Sequence, residues 1–426
     1  MKYNLLAFLM LTLPLHSELL IEVTKGSDNP INFGIYSPNN NFTSSNEVLE
    51  IIKNDLLRTG EFNFIKGIDL ISLPQEEGKN FNYSGWKMLG LDFVIIPEFI
   101  LPDRNSINLN YRVFDVLSMK EIRSSKVYGL RNNLRQIAHY ASDGIYESIT
   151  GIPGVSSTKI LYVNETRNRG RSNYDLMISD VDGANEKALL NSSEPIISPV
   201  WSPDGKSVAY VSFETGIANV YIQEVASGKR EAVLSQETQI SSPAWSPDGK
   251  YLSLTLYQDG NAEIYILRLR DKTLTRLTKH YSIDTEASWS PKGRKILFTS
   301  GRSGSPQLYE ISLRGLSTRP KRVTHEGDYN AKGSFLPDGN GYVFVHRSEG
   351  KFHIALKYKD EKFIRVLTDA RMDESPSVAP NGNMVVYAVS EEGLGKLAIL
   401  SLNGARFNLP STEGEVREPA WSGYVR

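Results

Sequence analysis

Residues 201–205 read WSPDG, and the same five letters return at residues 245–249. The proline of the motif therefore recurs after 44 residues, and the later copies keep an interval of 43 to 46 residues. These copies are WSPKG at 289–293, FLPDG at 335–339, VAPNG at 378–382 and WSG at 421–423. A period of this length is typical of propeller blades, so the motif predicts six copies of one supersecondary unit.

A short strand of alternating apolar character follows each of the first five motifs. These strands lie at residues 208–210, 252–254, 296–298, 342–344 and 385–387. The sixth strand is absent after Trp421 and stands instead before the first motif, at residues 160–163. Units long enough for four strands predict a mainly β fold, a six-bladed β-propeller. Its ring closes when residues 416–421 pair with the strand that starts at Ile160.

The residues of the motif have a structural interpretation and a functional one. Proline fixes φ, aspartate bonds to the nearby backbone and glycine takes the left-handed position, so Pro-Asp-Gly predicts a hairpin turn. Four of the five tryptophans occupy one position of the repeat. Such strict periodicity favours packing within the blades over an aromatic sugar-binding site.

Length and composition exclude several kinds of chemistry and give no indication of others. The chain has 426 residues, enough for two domains, and a formal net charge of −1 from 48 basic and 49 acidic residues. A balanced charge gives no indication of a nucleic-acid partner. The sequence has no cysteine, which excludes disulfide bonds, thiolate metal sites and thiol nucleophiles.

The N-terminus has the pattern of a secretory signal. Lys2 precedes an apolar run at residues 5–15, and the small residue Ser17 follows. We expect a signal peptide at residues 1–17 with cleavage after Ser17, and a soluble mature protein in the periplasm of a bacterium with two membranes. The alternative is an uncleaved anchor, but about 11 apolar residues is short for the roughly 20 that a spanning helix needs.

Residues 18–150 contain no copy of the repeat, which predicts a separate, smaller α/β domain. Ser44 and Glu47 form the pattern of a capping box at the start of a helix that ends at Gly60. Two glycines and a proline within residues 151–154 indicate a hinge. We therefore expect a linker at residues 151–157 and the propeller at residues 158–426.

The mature chain would begin with a mainly apolar segment. Its residues are Glu18, Leu19, Leu20, Ile21, Glu22 and Val23. A strand at this place can add to the sheet edge of a partner or to an edge of its own domain. The residues alone leave both interpretations open.

The chain shows no pattern of catalytic, cofactor-binding or metal-ligating residues. Five histidines follow the signal peptide, and none forms the i, i+4 pair of a metal-binding helix. Residues 180–183 resemble the start of a calcium loop, but Asn191 stands where the twelfth-position glutamate belongs. We interpret these residues as a blade turn and expect no enzyme activity, no cofactor and no metal.

A propeller offers a binding surface at the mouth of its central channel, which we expect the residues leading into each innermost strand to line. These positions are largely polar here, which suits a partly wet interface with another protein. The candidate partner-binding residues are Gln239, Ser242, Thr285, Glu286, Glu374 and Glu418. The alternative is that they are solvated loop tips.

Several segments resemble the TolB family, the periplasmic components of the Tol-Pal system of Gram-negative bacteria. In the N-terminal part they are WKMLGLD at 86–92, AHYASD at 138–143 and YESITG at 146–151. In the propeller they are the WSPDG units, DESPSVAPNG at 373–382 and PAWS at 419–422. Many propellers share WSPDG, but its combination with the N-terminal segments is specific, and the resemblance covers nearly the whole chain.

The resemblance implies a non-enzymatic protein that maintains outer-membrane integrity and its constriction at division. It implies that the peptidoglycan-associated lipoprotein (Pal) binds the propeller mouth, at positions matched here by Gln239, Ser242, Thr285 and Glu286. The first two of these depart from the residue types of the family. It also implies that the inner-membrane protein TolA binds the mature N-terminal segment, residues 18–23, so that a soluble protein reaches both membranes through partners.

Overall fold

The computed structural model of the protein describes residues 29–37, 42–67, 81, 83–314, 319–369, 372–391, 394–410 and 414–424. The expected signal peptide and the segment at residues 18–23 lie outside the described residues. One five-stranded sheet with helices comes first in the chain, and six four-stranded sheets follow. Among the described helices, none is long and apolar enough to cross a membrane.

The N-terminal domain is a mixed sheet covered by two long helices. Its elements are β1 (Ile31–Ile35), α1 (Ser45–Arg58), β2 (Phe62–Phe64), α2 (Tyr83–Met88), β3 (Phe93–Ile100), β4 (Ser106–Asp115), β5 (Lys120–Leu130) and α3 (Leu134–Thr150). The strand order is β2-β1-β3-β4-β5, with β1 parallel to both of its neighbours. Apolar residues recur at helical spacing in α1 and α3, so both helices bury one face in the same core.

The capping-box prediction was wrong, although α1 starts where the sequence indicates. The Ser44 side chain makes no capping hydrogen bond, and its backbone has φ −93° and ψ 11°. A turn closed by the Ser45 N–H on the Phe42 carbonyl holds it there, away from the extended conformation that an N-cap residue usually adopts. Burial of Val48 and Ile52 stabilises the helix instead.

The propeller consists of six antiparallel blades. Five of them are continuous in sequence. The first two blades contain β9 (Ile196–Trp201), β10 (Ser207–Ser212), β11 (Ala218–Glu224) and β12 (Arg230–Gln236), and then β13 (Ile240–Trp245), β14 (Tyr251–Gln258), β15 (Asn261–Arg268) and β16 (Thr273–Arg276). The next three contain β17 (Asp284–Trp289), β18 (Lys295–Ser300), β19 (Gln307–Ser312) and β20 (Lys321–Arg322), then β21 (Tyr329–Phe335), β22 (Gly341–Ser348), β23 (Lys351–Tyr358) and β24 (Arg365–Val366), and last β25 (Asp373–Val378), β26 (Met384–Glu391), β27 (Leu394–Ser401) and β28 (Arg406–Asn408).

The sixth blade joins both ends of the propeller and confirms the predicted closure. It contains β6 (Lys159–Asn168), β7 (Arg171–Asp180), β8 (Lys187–Ser192) and, from the C-terminus, β29 (Glu415–Trp421). Trp421 lies opposite Ile160 in the antiparallel pair of β29 and β6. The Trp421 indole N–H also donates to Thr158 Oγ1 at 2.8 Å, so the last strand is fixed by its backbone and its side chain.

The repeated motif forms the turn between the first two strands of each of the five continuous blades. In the first copy, Asp204 Oδ1 accepts hydrogen bonds from the Ser202 hydroxyl at 2.6 Å and the Lys206 N–H at 3.1 Å, and Gly205 has φ 68°. The preceding Trp201 donates its indole N–H to the Ala420 carbonyl of the neighbouring blade at 3.2 Å. The tryptophan therefore connects blades.

The N-terminal domain contacts the propeller on the face that carries these turns. Asn383 Nδ2, beside the turn between β25 and β26, donates to the Tyr146 hydroxyl at 3.1 Å. Asn403, in the turn after β27, donates to Glu61 Oε1 at 3.1 Å. Because strands alternate in direction, the loops that lead into the innermost strands lie on the opposite face. The described part of the N-terminal domain thus leaves that mouth uncovered.

The segment between α3 and β6 contains neither helix nor strand. Asp143, in α3, holds it in place, because its carboxylate accepts the Ser156 N–H at 2.6 Å and the Ser157 N–H at 3.0 Å. Burial raises the pKa of the Asp143 carboxyl to about 6 in spite of these hydrogen bonds. A buried acidic group therefore lies at the junction of the two domains.

Candidate functional site at the channel mouth

Each innermost strand of the propeller carries a bulge at the same place. The register of β17 against β18 breaks between Thr285 and Ser288, and the other innermost strands break at equivalent points. One residue of each bulge has a positive φ, between 51° and 56°. These residues are Ser198, Ser242, Glu286, Lys332, Ser375 and Glu418. Residues other than glycine are strained at this φ, and such strain gathers at functional sites.

The six bulge residues form a ring, which we call the channel ring. They line a channel cavity of about 330 Å³ together with the small and aromatic residues that follow each bulge. Three serines, two glutamates and one lysine give the ring a formal charge of −1. The channel ring itself is therefore polar and nearly balanced in charge, while the residues that follow each bulge add an apolar part to the wall.

Each glutamate of the channel ring connects its own blade to the next one. Glu286 Oε2 accepts hydrogen bonds from the Lys332 backbone N–H and from the Thr299 hydroxyl, both at 2.8 Å. Glu418 Oε2 accepts the Ser198 N–H at 2.5 Å, across the point where the ring closes. Since each carboxylate bonds to the backbone of the following blade, both glutamates have a structural role as well as a place in the channel.

Lys332 reaches across the channel ring. Its Nζ donates to Ser375 Oγ at 2.7 Å and lies 3.6 Å from Glu418 Oε1. These three residues belong to three consecutive blades, so one ammonium group holds part of the ring in place. Polar groups that are fixed in this way need little reordering when a partner binds, which favours affinity.

The six residues predicted from the sequence divide into two groups. Three belong to the channel ring: Ser242, Glu286 and Glu418. Three come just before the ring along their strands: Gln239, Thr285 and Glu374. The Gln239 and Glu374 residues are exposed, whereas Thr285 is half-buried with its Oγ1 3.3 Å from Thr255 Oγ1. The structure thus brings part of the predicted set together in the channel and leaves two residues in solvent.

Sequence reasoning missed three exposed apolar residues on the same face. Tyr281 is 86% exposed and Ile283 is 54% exposed, in the loop that leads into β17. Tyr257, near the end of β14, is also exposed, and its N–H donates to the Gln239 carbonyl at 3.0 Å. We call these three residues the apolar ledge. Exposed aromatic side chains beside polar groups are typical of protein interfaces.

A second group of chemically versatile residues lies at the domain boundary, on the covered face. Atoms of Asp55, His139 and Asp182 that could bind a metal lie within 4.8 Å of one another, and all three residues are buried. Arg58 already binds Asp55 at 2.5 Å, and Arg135 forms an ion pair with Asp182. The arginines supply the positive charge that a metal ion would bring, so the cluster fits an ionic contact between domains better than a metal site.

Neighbouring charges set the protonation of this cluster. Burial alone would lower the pKa of His139, but the Asp55 carboxylate, 2.7 Å from Nδ1, raises that pKa above its usual value. Asp182 and Asp180 add to the effect, each with an oxygen 3.9 Å from Nε2. Burial would raise the pKa of Asp55, but His139 and Arg58 outweigh it and lower that pKa. The cluster therefore favours a protonated imidazole between acidic groups of both domains.

Two protein-family models together match most of the chain. The model of the TolB beta propeller domain matches residues 146–425, and the model of the TolB amino-terminal domain matches residues 19–122. The chain belongs to the TolB family. Membership confirms the resemblance of the sequence segments and agrees with the propeller and the α/β domain described above.

Individual TolB proteins are similar to the chain over almost its full length. It is 43% identical to the Tol-Pal system protein TolB of Hydrogenovibrio crunogenus over 99% of this chain and 98% of the relative. It is 47% identical to the TolB of Pseudomonas aeruginosa over 89% of this chain and 88% of the relative. The crystal structure of TolB from Acinetobacter baumannii superposes with a TM-score of 0.86 at 35% identity, covering 96% of this chain and 100% of that one.

The two faces of the propeller carry different features. One face carries the domain boundary with its buried ionic cluster, and the other carries the channel ring and the apolar ledge. Within the described residues, the face with the channel ring and the apolar ledge is the one opposite the domain boundary.

Proposed function

We propose that this protein is a non-enzymatic, periplasmic component of the Tol-Pal system. In this proposal it links an outer-membrane partner to an inner-membrane partner, and so maintains outer-membrane integrity and the invagination of that membrane during cell division. The names of its relatives, Tol-Pal system proteins, support the membership of that system. Cleavage after Ser17 would release the mature protein into the periplasm.

The outer-membrane partner that we propose is the peptidoglycan-associated lipoprotein, bound at the propeller mouth. One observation carries this part: a fixed polar ring with an exposed apolar ledge stands on the face that the described N-terminal domain leaves uncovered. Interfaces commonly combine such an apolar centre with satisfied polar groups. The partner-binding residues are those predicted from the sequence: Gln239, Ser242, Thr285, Glu286, Glu374 and Glu418.

The inner-membrane partner that we propose is TolA, bound by the mature N-terminal segment. Residues 18–23 follow the expected cleavage site and are mainly apolar. A segment of this kind can add as a strand to a partner's sheet, where backbone hydrogen bonds supply affinity.

The experiment for the mouth measures binding of the purified soluble part of the lipoprotein by titration calorimetry. Glu286→Gln keeps an acceptor oxygen for the Lys332 N–H but removes the charge, so we expect folded protein with roughly tenfold to hundredfold weaker binding. Glu231→Gln makes the same change on the exposed outer strand β12 and is expected to bind normally. Absence of binding by the wild type would refute the proposed function. If Glu286→Gln binds as tightly as Glu231→Gln, the assignment of Glu286 is refuted, but the proposed function is not.

The experiment for the N-terminal segment deletes residues 18–23 from the mature protein. We expect loss of binding to the purified periplasmic part of TolA, with unchanged affinity for the lipoprotein. Unchanged TolA binding would refute the role of the segment, and loss of both partners would indicate misfolding.

A further inference from the structure

The loop at residues 279–283, which carries two members of the apolar ledge, is tightly held although its side chains face solvent. Asn261 Nδ2 donates to the His280 carbonyl at 2.7 Å and to the Ser282 carbonyl at 3.1 Å. The Gly301 N–H donates to the Ile283 carbonyl at 3.1 Å. The His280 ring packs against the Tyr281 ring with centroids 4.2 Å apart. The backbone under Tyr281 is therefore fixed from both sides.

Glu263, in β15, is the centre of these contacts and is only 1% exposed. Its Oε1 accepts the His280 backbone N–H at 2.6 Å and Arg276 Nη2 at 3.1 Å. Its Oε2 accepts the Thr278 hydroxyl at 2.6 Å. Thr278 Oγ1 in turn accepts the Ile264 N–H at 3.0 Å. One buried carboxylate thus connects the inside of the blade to the start of the exposed loop.

The next blade contains the same connection with a neutral side chain. Gln307 Oε1 accepts the Thr324 hydroxyl at 2.8 Å, and Thr324 Oγ1 accepts the Leu308 N–H at 3.0 Å. The loop that follows there, residues 325–328, exposes His, Glu, Gly and Asp. A hydrogen-bonded residue at this position is therefore part of the blade repeat. Unlike Gln307, Glu263 is a carboxylate that accepts the N–H of a loop residue directly, and its loop carries an exposed tyrosine.

We propose that Glu263 is a positioning residue of the channel mouth: by fixing residues 279–283 it holds Tyr281 and Ile283 ready for the partner. The inference rests on the proposed function, because the occupant of the apolar ledge is the lipoprotein bound at the adjoining channel ring. A buried carboxylate is costly to desolvate, and the four donors within 3.5 Å of Glu263 offset that cost; the donor on His280 also fixes the loop. An ordered aromatic side chain loses little further entropy on binding, which raises affinity.

The first measurement needs no partner. Amide hydrogen exchange of residues 279–283 is compared in the wild type, Glu263→Ala, Glu263→Gln and Gln307→Ala. We expect Glu263→Ala to speed exchange of the His280 amide at least tenfold, because its acceptor is lost. Glu263→Gln keeps an acceptor oxygen and should stay close to the wild type. Gln307→Ala loosens the neighbouring blade in the same way and should leave this loop unchanged. Unchanged exchange in Glu263→Ala would overturn the inference.

The second measurement is a double-mutant cycle on lipoprotein affinity. We expect Tyr281→Ala to weaken binding on the order of tenfold, and Glu263→Ala to weaken it by about threefold to tenfold. If Glu263 acts through the loop, the double variant loses less affinity than the sum of the two single losses, because part of the Glu263→Ala effect depends on Tyr281. Additive losses, or faster exchange with unchanged affinity, would overturn the role in binding. If the wild type does not bind the lipoprotein, the proposed function fails, and the exchange result alone decides whether Glu263 positions the loop.

Discussion

The Glu286 carboxylate accepts a hydrogen bond at 2.8 Å from the backbone N–H of Lys332, which lies 46 residues further along the chain in the next blade. A residue with a proposed role in binding therefore also holds two blades together. Removal of its side chain changes both properties at once, so experiments at the mouth must separate a lost contact with the partner from a loosened ring.

Glu286→Ala should lower the free energy of unfolding by about 1–3 kcal/mol, because the Lys332 N–H and the Thr299 hydroxyl lose their shared acceptor. Glu286→Gln retains an acceptor and should lose less. Denaturant titration of the two variants measures the difference. Equal stability of Glu286→Ala and the wild type would show that the inter-blade hydrogen bond contributes nothing.

Trp421→Phe should destabilise the protein by about 1–3 kcal/mol, since it removes both the indole hydrogen bond to Thr158 and part of the buried ring. Trp245→Phe is the matched control, because it stands at the same position of the repeat and its Nε1 has no hydrogen-bond partner among the described residues. Thermal unfolding of both variants compares them. A loss for Trp245→Phe as large as that for Trp421→Phe would assign the whole effect to packing.

Protonation of Asp143 should contribute stability as pH falls from about 7 to 4. Burial raises the pKa of this carboxyl from 3.8 to about 6 in the folded state, so the folded protein takes up a proton before the unfolded chain does. The gain is complete below pH 3.8 and amounts to at most about 3 kcal/mol.

Unfolding free energies of the wild type and Asp143→Asn at several pH values test the contribution of this group. The wild type should gain stability relative to the variant through this window. Parallel pH profiles for the two proteins would contradict the assignment.

His139 should add a separate dependence at higher pH. Asp55 and the acidic groups of the propeller outweigh burial and raise the His139 pKa, so its stabilising effect is fully present below about pH 6.5. The effect is lost as pH rises through the higher pKa of the folded state, because the imidazole then gives up its proton there as well. His139→Gln should flatten the unfolding profile above pH 6.5. A variant that keeps the wild-type slope there would show that another group titrates.

The fold of the propeller could be predicted almost completely, because its signals are local. The motif at residues 201–205 specifies a tight turn by its own chemistry, and the constant interval specifies the blade. The sixth strand of the repeat stands before the first motif, at Ile160, so the ring had to close by pairing this strand with the C-terminal one. The pairing of Trp421 with Ile160 confirms this closure.

The channel ring could be predicted only in part, because it depends on contacts between blades. A positive φ at Glu286 and Lys332 runs against the preference of both residue types, so no propensity indicates it. The six bulge residues meet around one channel, and only the assembled ring shows that their side chains line it.

The apolar ledge and the ionic cluster escaped prediction for two different reasons. Tyr281 and Ile283 stand in a segment without a strand pattern, so no periodic signal marks them as part of a surface. Asp182 lies in the blade turn that the sequence indicated, but its burial arises from contact with His139 of the other domain, which no local pattern reveals.

The pairing of β29 with β6 also determines when the molecule can be completed. Synthesis produces β6 long before β29, so the nascent propeller keeps an unpaired strand edge on β6 until Trp421 has been made. Every premature stop upstream of Glu415 leaves that edge open and the ring unsealed. A chain truncated in this way therefore exposes a β-strand edge with which another chain can pair.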